Sequence, residues 1–343
     1  MSATALAPAA QAAAPSTPPA APWRAVIKPY TEPVPWRTAL GLMTSVVPYL
    51  ALYAAMVVLL DTSVLWTLAL APLTAGFLLR TFIMFHDCTH GSLFRSRRTN
   101  RVAGTLLGLL LFMPFESWRH AHAVHHATAG DLDRRGEGDV PTLTVDEYVA
   151  RSKRGRLAYR LYRNPFVMFG LGPLLSFIIG PRLVPSNARP RIKRSIILTN
   201  IALALIVVTM GLTIGWGPYL LVQGLTAWLA GAAGIFLFYV QHQFEDVYWE
   251  NNEHWDFADA AIRGSSFLKL PAVLRFFSGY IGYHHVHHLS SRVPYYRLRA
   301  AHEEIALFRD VPVLTLREAL KCHRLKLWDR ERGRMVGFAD VRG

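Results

Sequence analysis

Two long stretches of this 343-residue chain contain no Asp, Glu, Lys or Arg. They are residues 40–60 and 195–244. Such stretches point to a lipid environment, because a helix needs about 20 consecutive apolar residues to cross a bilayer. The whole chain is 52% hydrophobic and only 17% charged, whereas ordinary soluble domains are about 25% charged. The sequence therefore predicts an integral membrane protein and argues against a disordered chain or a soluble globule.

Four segments are long enough to span the membrane, and they are residues 39–60, 63–85, 196–214 and 219–240. Short turns join the first two segments and the last two, so each pair is predicted to form a helical hairpin. Two further apolar segments are shorter and are expected to lie in or dip into the interface; they are residues 102–115 and 166–180. At about 1.5 Å per residue they reach only about 21–23 Å, which is short of a hydrocarbon core of about 30 Å.

The predicted fold class is an all-α integral membrane protein, with four transmembrane helices in two hairpins and a cytosolic helical cap. The first 22 residues are an Ala/Pro tract without charge, which lacks the basic start and apolar middle of a signal peptide. We expect a disordered tail and an N-terminal arm over residues 1–37, one domain over residues 38–330, and a C-terminal tail over residues 331–343.

The charge distribution predicts the orientation in the membrane. The chain has 37 Lys and Arg against 23 Asp and Glu, a net charge of +14, and none of its basic residues lies in either hairpin turn. Basic residues collect on the cytoplasmic side of membrane spans, so both termini and the cap are predicted to be cytoplasmic, in a bacterial cytoplasmic membrane. This explains the charge without nucleic acid, and two cysteines imply no disulfide framework.

The histidines carry most of the functional information. Of the 14 in the chain, most fall into three boxes just beyond apolar segments, and one more ends the fourth span. The boxes are His86/His90, His122/His125/His126 and His284/His287/His288, and the additional residue is His242. Residues three and four positions apart lie on one face of a helix, so each box can present its imidazoles together.

This pattern predicts metal binding on the cytosolic side. Nine imidazoles are too many for one ion, since structural zinc takes four ligands, and two metal ions fit the count. Imidazole suits zinc, copper, iron and nickel alike, so ligand type does not name the metal. His120 lies two positions before His122, on a different helical face, and His285 interrupts the third box. Both are expected to support ligands or to lie at the interface rather than to bind metal. We expect His254 to cap the substrate end of the site or to have a plain surface role.

The same boxes carry a family resemblance. Residues 86–92 (HDCTHGS), 118–119 (WR), 130–135 (GDLDRR) and 282–289 (GYHHVHHL) resemble motifs of the membrane fatty acid desaturases, a histidine-box di-iron family. The similarity covers about residues 38–330 and is greatest to the bacterial acyl-lipid branch related to omega-6 (Δ12) desaturases. It implies two non-haem irons, O₂ as co-substrate, two electrons per turnover and a membrane lipid acyl chain as substrate. The implied iron ligands are His86, His90, His122, His125, His126, His242, His284, His287 and His288.

Two differences from neighbouring branches stand out. Phe238 occupies the position at which the acyl-CoA branch has an Asn that completes one iron's shell through water. The third box begins with His284, whereas front-end desaturases begin it with Gln and carry a fused haem domain.

Other residues near the boxes are assigned supporting roles. Asp87, Glu116, Glu245 and Asp246 are the candidates for orienting the ligating rings, with an ordinary solvated acid as the alternative for each. Arg80 is expected to extend to the lipid headgroups, and Cys88 to be a packed thiol.

Two other functions share some of these features. Hydroxylases and ketolases that act on alkanes, sterols or carotenoids carry a similar histidine signature and form the nearest alternative. A metal transporter is disfavoured, because transport sites place ionisable groups within the spans. Motifs for a flavin, an iron–sulfur cluster or a haem are not evident, so we expect a separate, acidic, ferredoxin-like electron donor. It would dock on the basic cytosolic surface, which includes residues 151–156 and 189–194. Contact with anionic lipid headgroups is the alternative role for these basic patches.

Overall fold

A computed structural model describes residues 22–136 and 138–341. Residues 1–21 of the Ala/Pro segment, which is expected to be disordered, lie outside the described residues. The arm that follows packs onto the body of the protein: Ile27 is buried, and the Tyr30 hydroxyl donates to Glu304 at 2.6 Å.

The helices and strands run as follows. The α-helices are α1 Pro22–Ile27, α2 Pro35–Leu59, α3 Val64–His90, α4 Arg97–Leu110, α5 Phe115–Thr128, α6 Val145–Val149, α7 Lys153–Tyr162, α8 Pro190–Ile214, α9 Trp216–His242, α10 Phe257–Arg263, α11 Ala272–Phe277, α12 His284–Leu289, α13 Leu298–Glu304 and α14 Leu316–Ala319. The strands are β1 Leu143–Thr144, β2 Phe267–Lys269, β3 Val313–Thr315, β4 Leu327–Asp329 and β5 Arg334–Val336.

Within the described residues, α2, α3, α8 and α9 are long and apolar enough to cross a membrane, as predicted. Each pair is connected by a short turn, and α3 packs against both α2 and α9. α3 extends five residues beyond its predicted end and stops at Gly91, whose φ of 67° reverses the chain. The first histidine box therefore lies on the last turns of a helix that is long and apolar enough to cross a membrane.

The two shorter apolar segments differ from the prediction. The first is split: α4 begins at Arg97, where the Ser96 side chain accepts from the amide of Thr99, and it ends before a turn with Phe112 at φ 59°. α5 then carries the second histidine box. The second segment forms two π-helical stretches, Val167–Leu171 and Leu174–Ile179. Pro173 between them has no amide hydrogen to donate, and the segment is bent by 56° from α7.

Small sheets correct the all-α prediction. β1 pairs in parallel with β4, which pairs antiparallel with β5, while β2 and β3 form a parallel pair. The predicted C-terminal tail therefore contains a strand, and Met335 and Val336 are buried in it. Strands of two or three residues are too short to show the period-2 alternation that reveals a strand in a sequence.

Candidate metal centre

The nine histidines predicted as ligands come from four helices that meet at one end of the long helices. His86 and His90 lie on α3, His122, His125 and His126 on α5, His242 on α9, and His284, His287 and His288 on α12. They form two separate groups, and in each group the available ring nitrogens all lie within 4.8 Å of one another.

The first group, called here the five-histidine group, consists of His86, His90, His122, His126 and His287. The Nε2 atoms of His86 and His122 are 2.9 Å apart, as are those of His126 and His287. The Nε2 atom of His90 is buried and has no hydrogen-bond partner among the described residues. Nitrogens bound at right angles, about 2.1 Å from one ion, would lie about 3 Å apart, so this arrangement fits a metal ion.

The second group, the four-histidine group, consists of His125, His242, His284 and His288. The Nε2 atoms of His242 and His284 are 2.9 Å apart, and those of His284 and His288 are 3.1 Å apart. The Nε2 of His125 lies 3.3 Å from that of His288. Lone pairs that converge at these distances repel one another unless a cation or a proton lies between them, so this group also fits a metal ion.

Burial favours the neutral, metal-binding form in five of the nine imidazoles. Desolvation lowers the pKa of His122 well below its usual value, and the neighbouring histidines lower the pKa further. Desolvation likewise lowers the pKa values of His126, His284, His287 and His288. A metal binds the neutral ring, so the lowered pKa values of these five histidines favour metal binding.

Three hydrogen-bond acceptors orient ligand rings through Nδ1, the ring nitrogen that does not face the other histidines. The Nδ1 of His125 forms a short hydrogen bond with Asp139, and the Nδ1 of His242 lies 3.1 Å from the carbonyl of Gly264. Asp87 lies 3.4 Å from the Nδ1 of His86 and accepts from the amide of Tyr295 at 2.8 Å. Such acceptors fix the tautomer and direction of a ligating ring.

A largely apolar cavity of about 490 Å³ reaches these groups. Its walls come mainly from α3, α9 and the segment 167–178, and His86, His122 and His284 line it together. Trp118, also in the wall, stacks on the His122 ring at 4.3 Å between centroids. Histidines of both groups therefore face one apolar space.

A model of the fatty acid desaturase family matches residues 61–313. A protein of Bacillus subtilis (strain 168) named fatty acid desaturase is 48% identical over 283 residues, which cover 82% of this chain and 80% of that protein. The chain belongs to the fatty acid desaturase family. It is a desaturase enzyme, and the family predicted from the histidine motifs is confirmed.

More distant relatives of this desaturase include proteins of Synechocystis sp. One, named sn-1 oleoyl-lipid 12-desaturase, is 28% identical over 229 residues, 64% of this chain and 63% of that protein. Another, named sn-1 acyl-lipid omega-3 desaturase (ferredoxin), is 26% identical over 238 residues, 65% of this chain and 63% of that protein. The desaturase thus spans slightly less than two thirds of each.

The predicted ring-orienting acids divide into one that contacts a ligand and three that do not. Asp87 contacts His86 as described. Glu116 instead pairs with Arg191 at 2.5 Å, because its side chain projects towards α8. Glu245 is exposed and pairs with Arg334 of β5 at 2.9 Å. Asp246 is also exposed. Proximity along the sequence does not give the direction of a side chain. In the described residues none of these three hydrogen-bonds a ligand ring, and the exposure of Glu245 and Asp246 matches the alternative of an ordinary solvated acid.

Sequence reasoning missed Asp139, which stands 13 residues after the last histidine of its box. Gly138 is the only signal in the sequence. It has a φ of 77°, and a Cβ added there would lie 2.7 Å from the carbonyl of Ala121 and 3.0 Å from the Cβ of His125. A glycine is needed for the loop to approach α5 this closely.

The remaining predictions concern residues outside the two groups. His285 is buried beside His302, with 2.9 Å between Nε2 and Nδ1, and neither it nor His120 belongs to a ligand group in the described chain. His254 is exposed, and Cys88 is a buried free thiol.

Arg80 does not extend to headgroups, because α11 covers it. Its side chain donates to the carbonyl of Phe276, and its guanidinium lies 4.0 Å from the centre of that ring. Phe238 packs against the four-histidine group, with its ring 5.0 Å from that of His125 and 5.3 Å from that of His242.

Proposed function

We propose that this desaturase introduces a cis double bond into the acyl chain of a membrane lipid, using O₂, two electrons and one iron ion in each histidine group. The observation that carries the proposal is the apolar cavity whose wall contains histidines of both groups. An acyl methylene in this cavity would lie beside both groups at once.

Nine buried or partly buried imidazoles provide nitrogen donors in numbers suited to two ions. The proposed ligands are the five-histidine group for one iron and the four-histidine group for the other. Bound iron would supply the oxidising power, drawn from O₂, that an unactivated C–H bond requires. Family membership favours iron over the other metals that imidazole accepts.

The chain's own residues bind the substrate and exclude water. Phe82, Leu79 and Ile235 line the cavity, and an apolar wall of this kind binds methylenes at about 0.8 kcal/mol each. Trp118, stacked on His122, holds that ring at the cavity wall. Protein groups that position a cofactor and keep bulk water out are the protein's usual contribution to such chemistry.

Two features support a membrane lipid as the substrate. The cavity lies partly between two membrane-spanning helices, since Leu78 of α3 and Ala227 of α9 both line it. Relatives in Synechocystis are named for oleoyl-lipid and acyl-lipid substrates. We therefore propose that the acyl chain enters while the headgroup stays at the membrane surface.

We further propose that both termini and the metal centre face the cytoplasm and that a separate, ferredoxin-like protein supplies the electrons. The absence of basic residues from both hairpin turns supports this orientation. One Synechocystis relative carries ferredoxin in its name, and a net charge of +14 would attract an acidic donor.

The test is expression in a host with a simple fatty acid profile, followed by mass spectrometric mapping of new double bonds in separated phospholipid and acyl-CoA fractions. We expect a new cis double bond to appear first in the phospholipids. Products with an added oxygen would indicate a hydroxylase or ketolase, and first appearance in acyl-CoA would refute the lipid substrate. His287→Ala, recovered from the membrane in equal amount, is the matched inactive control.

A further inference from the structure

Arg163, directly after α7, has a fully buried side chain. No ion pair found among residues 22–136 and 138–341 includes it. Burial of an unpaired charge is costly unless hydrogen bonds compensate for the lost water. A guanidinium in this setting therefore needs several well-placed oxygen acceptors.

Two of its acceptors belong to segments that each adjoin the four-histidine group, and the others are the hydroxyls of Thr142, Tyr159 and Tyr239 and the carbonyl of Leu325. Nη1 of Arg163 donates to the carbonyl of Pro141 at 2.8 Å, two residues after Asp139, which holds His125. Nη2 donates to Oε1 of Gln243 at 2.7 Å, and Gln243 directly follows His242. One side chain thus connects the loop that carries Asp139, the partner of His125, to the residue that follows His242.

Further hydrogen bonds fix the loop from both sides. The Thr142 hydroxyl lies 3.2 Å from Oε1 of Gln243 and 3.3 Å from Nη1 of Arg163. Arg135 reaches the same loop from the opposite side, donating to the carbonyl of Thr142 at 2.6 Å, and is itself paired with Glu147 at 2.5 Å. The position of Asp139 therefore depends on this network.

The five-histidine group has different supports. Asp87 contacts His86 and is held by the amide of Tyr295. None of the hydrogen bonds that Arg163 forms within the described chain involves α3, α5 or α12. An effect transmitted through Arg163 should therefore reach one metal ion and not the other.

We propose that Arg163 is a positioning residue for the four-histidine group: it ties the loop that carries Asp139 to Gln243, and so fixes His125 and His242 for metal binding. This inference rests on the proposed function. The planar guanidinium donates to both segments at once, which the single point charge of a lysine cannot reproduce.

The test measures how fast the purified, full-length protein loses iron to a chelator under anaerobic conditions. With two ions, the wild-type protein should release iron in two phases. In Arg163→Met, we expect one phase to be about 10–100-fold faster, the usual effect of losing an outer support of a metal ligand, while the other phase is unchanged. Arg163→Lys should show a similar acceleration.

Arg182→Met is the matched control, because Arg182 also donates to a side chain and to a carbonyl but contacts neither group. It should leave both phases unchanged. The proposal would be overturned if Arg163→Met released both ions at wild-type rates or accelerated both phases equally. If Arg163→Met does not accumulate in the membrane, the same criterion applies to Arg163→Lys.

A double-mutant cycle tests whether the effect passes through Asp139. Asp139→Asn and Arg163→Met should each accelerate the same phase of iron release. In the double variant, that phase should be much slower than the product of the two single accelerations predicts. Fully multiplicative effects would refute the coupling. If the wild-type protein bound fewer than two metal ions of any kind, both the proposed function and this inference would fail. That result differs from a failure of the inference alone, in which the wild-type protein binds two ions but Arg163→Met changes neither phase.

Discussion

Gly234 on α9 offers a direct test of the cavity as the path of the acyl chain. It lines the cavity, and a Cβ added there would lie 3.8 Å from Leu79 Cδ1, an ordinary contact. Alanine therefore fits, whereas the longer side chain of Gly234→Leu would occupy space proposed for substrate. Gly231 is a poorer choice, because its Cβ would lie 2.9 Å from Pro173 and would displace the neighbouring segment.

The expected effect follows from the methylenes displaced. Leucine adds four carbons, and at about 0.8 kcal/mol per buried methylene the loss of binding is about 3 kcal/mol. This corresponds to about a 200-fold decrease in kcat/KM for an acyl chain that passes Gly234. Alanine adds one carbon, so Gly234→Ala should lose about fourfold at most.

The assay is the rate of double-bond formation in isolated membranes, with iron content measured on the same preparations. The side-chain atom nearest to a Cβ added at Gly234 belongs to Leu79 and not to a histidine, so both variants should retain wild-type iron. Wild-type kcat/KM for Gly234→Leu would refute the cavity as the acyl path. Loss of iron in that variant would show instead that the substitution disturbs the metal centre.

Three further predictions concern the site, the orientation and the donor. His125→Ala and His287→Ala, one in each group, should both abolish desaturation while the protein remains in the membrane; full activity in both would refute the ligand assignment. Externally added maleimide should label Asp61→Cys and Gly217→Cys but not Ser152→Cys, since the two hairpin turns are predicted to be outside; the reverse pattern would refute the topology. With purified ferredoxin at limiting concentration, the rate of desaturation should fall markedly as ionic strength rises, because salt screens the attraction between opposite charges. A rate that depends neither on ferredoxin nor on ionic strength would indicate another reductant.

Much of the architecture could be predicted from local pattern. Uncharged runs identify the long helices, since crossing lipid requires length and apolarity, and both can be counted in a sequence. The boxes could likewise be identified, because a spacing of three or four residues describes one face of a helix. β5 could not be predicted, because its pairing with β4 depends on a partner strand with no local signature.

The division of the histidines between two ions required the tertiary structure. His122 and His126 join the five-histidine group, whereas His125, on the same face of α5, joins the four-histidine group. On α12, His287 is likewise separated from His284 and His288. Spacing places the histidines of each box on one side of their own helix. The division between the two groups depends on where α3 and α9 approach α5 and α12.

The sequence by itself determined a membrane protein with eight histidines in ligand spacing, because hydropathy and helical periodicity are properties of contiguous residues. Only the tertiary structure decided which acids support the rings. Glu116, near the second box in sequence, points to Arg191 on α8, whereas Asp139 returns to His125 from a loop 14 residues away. A hydrogen bond depends on distance and direction in space, and the course of the intervening chain sets both.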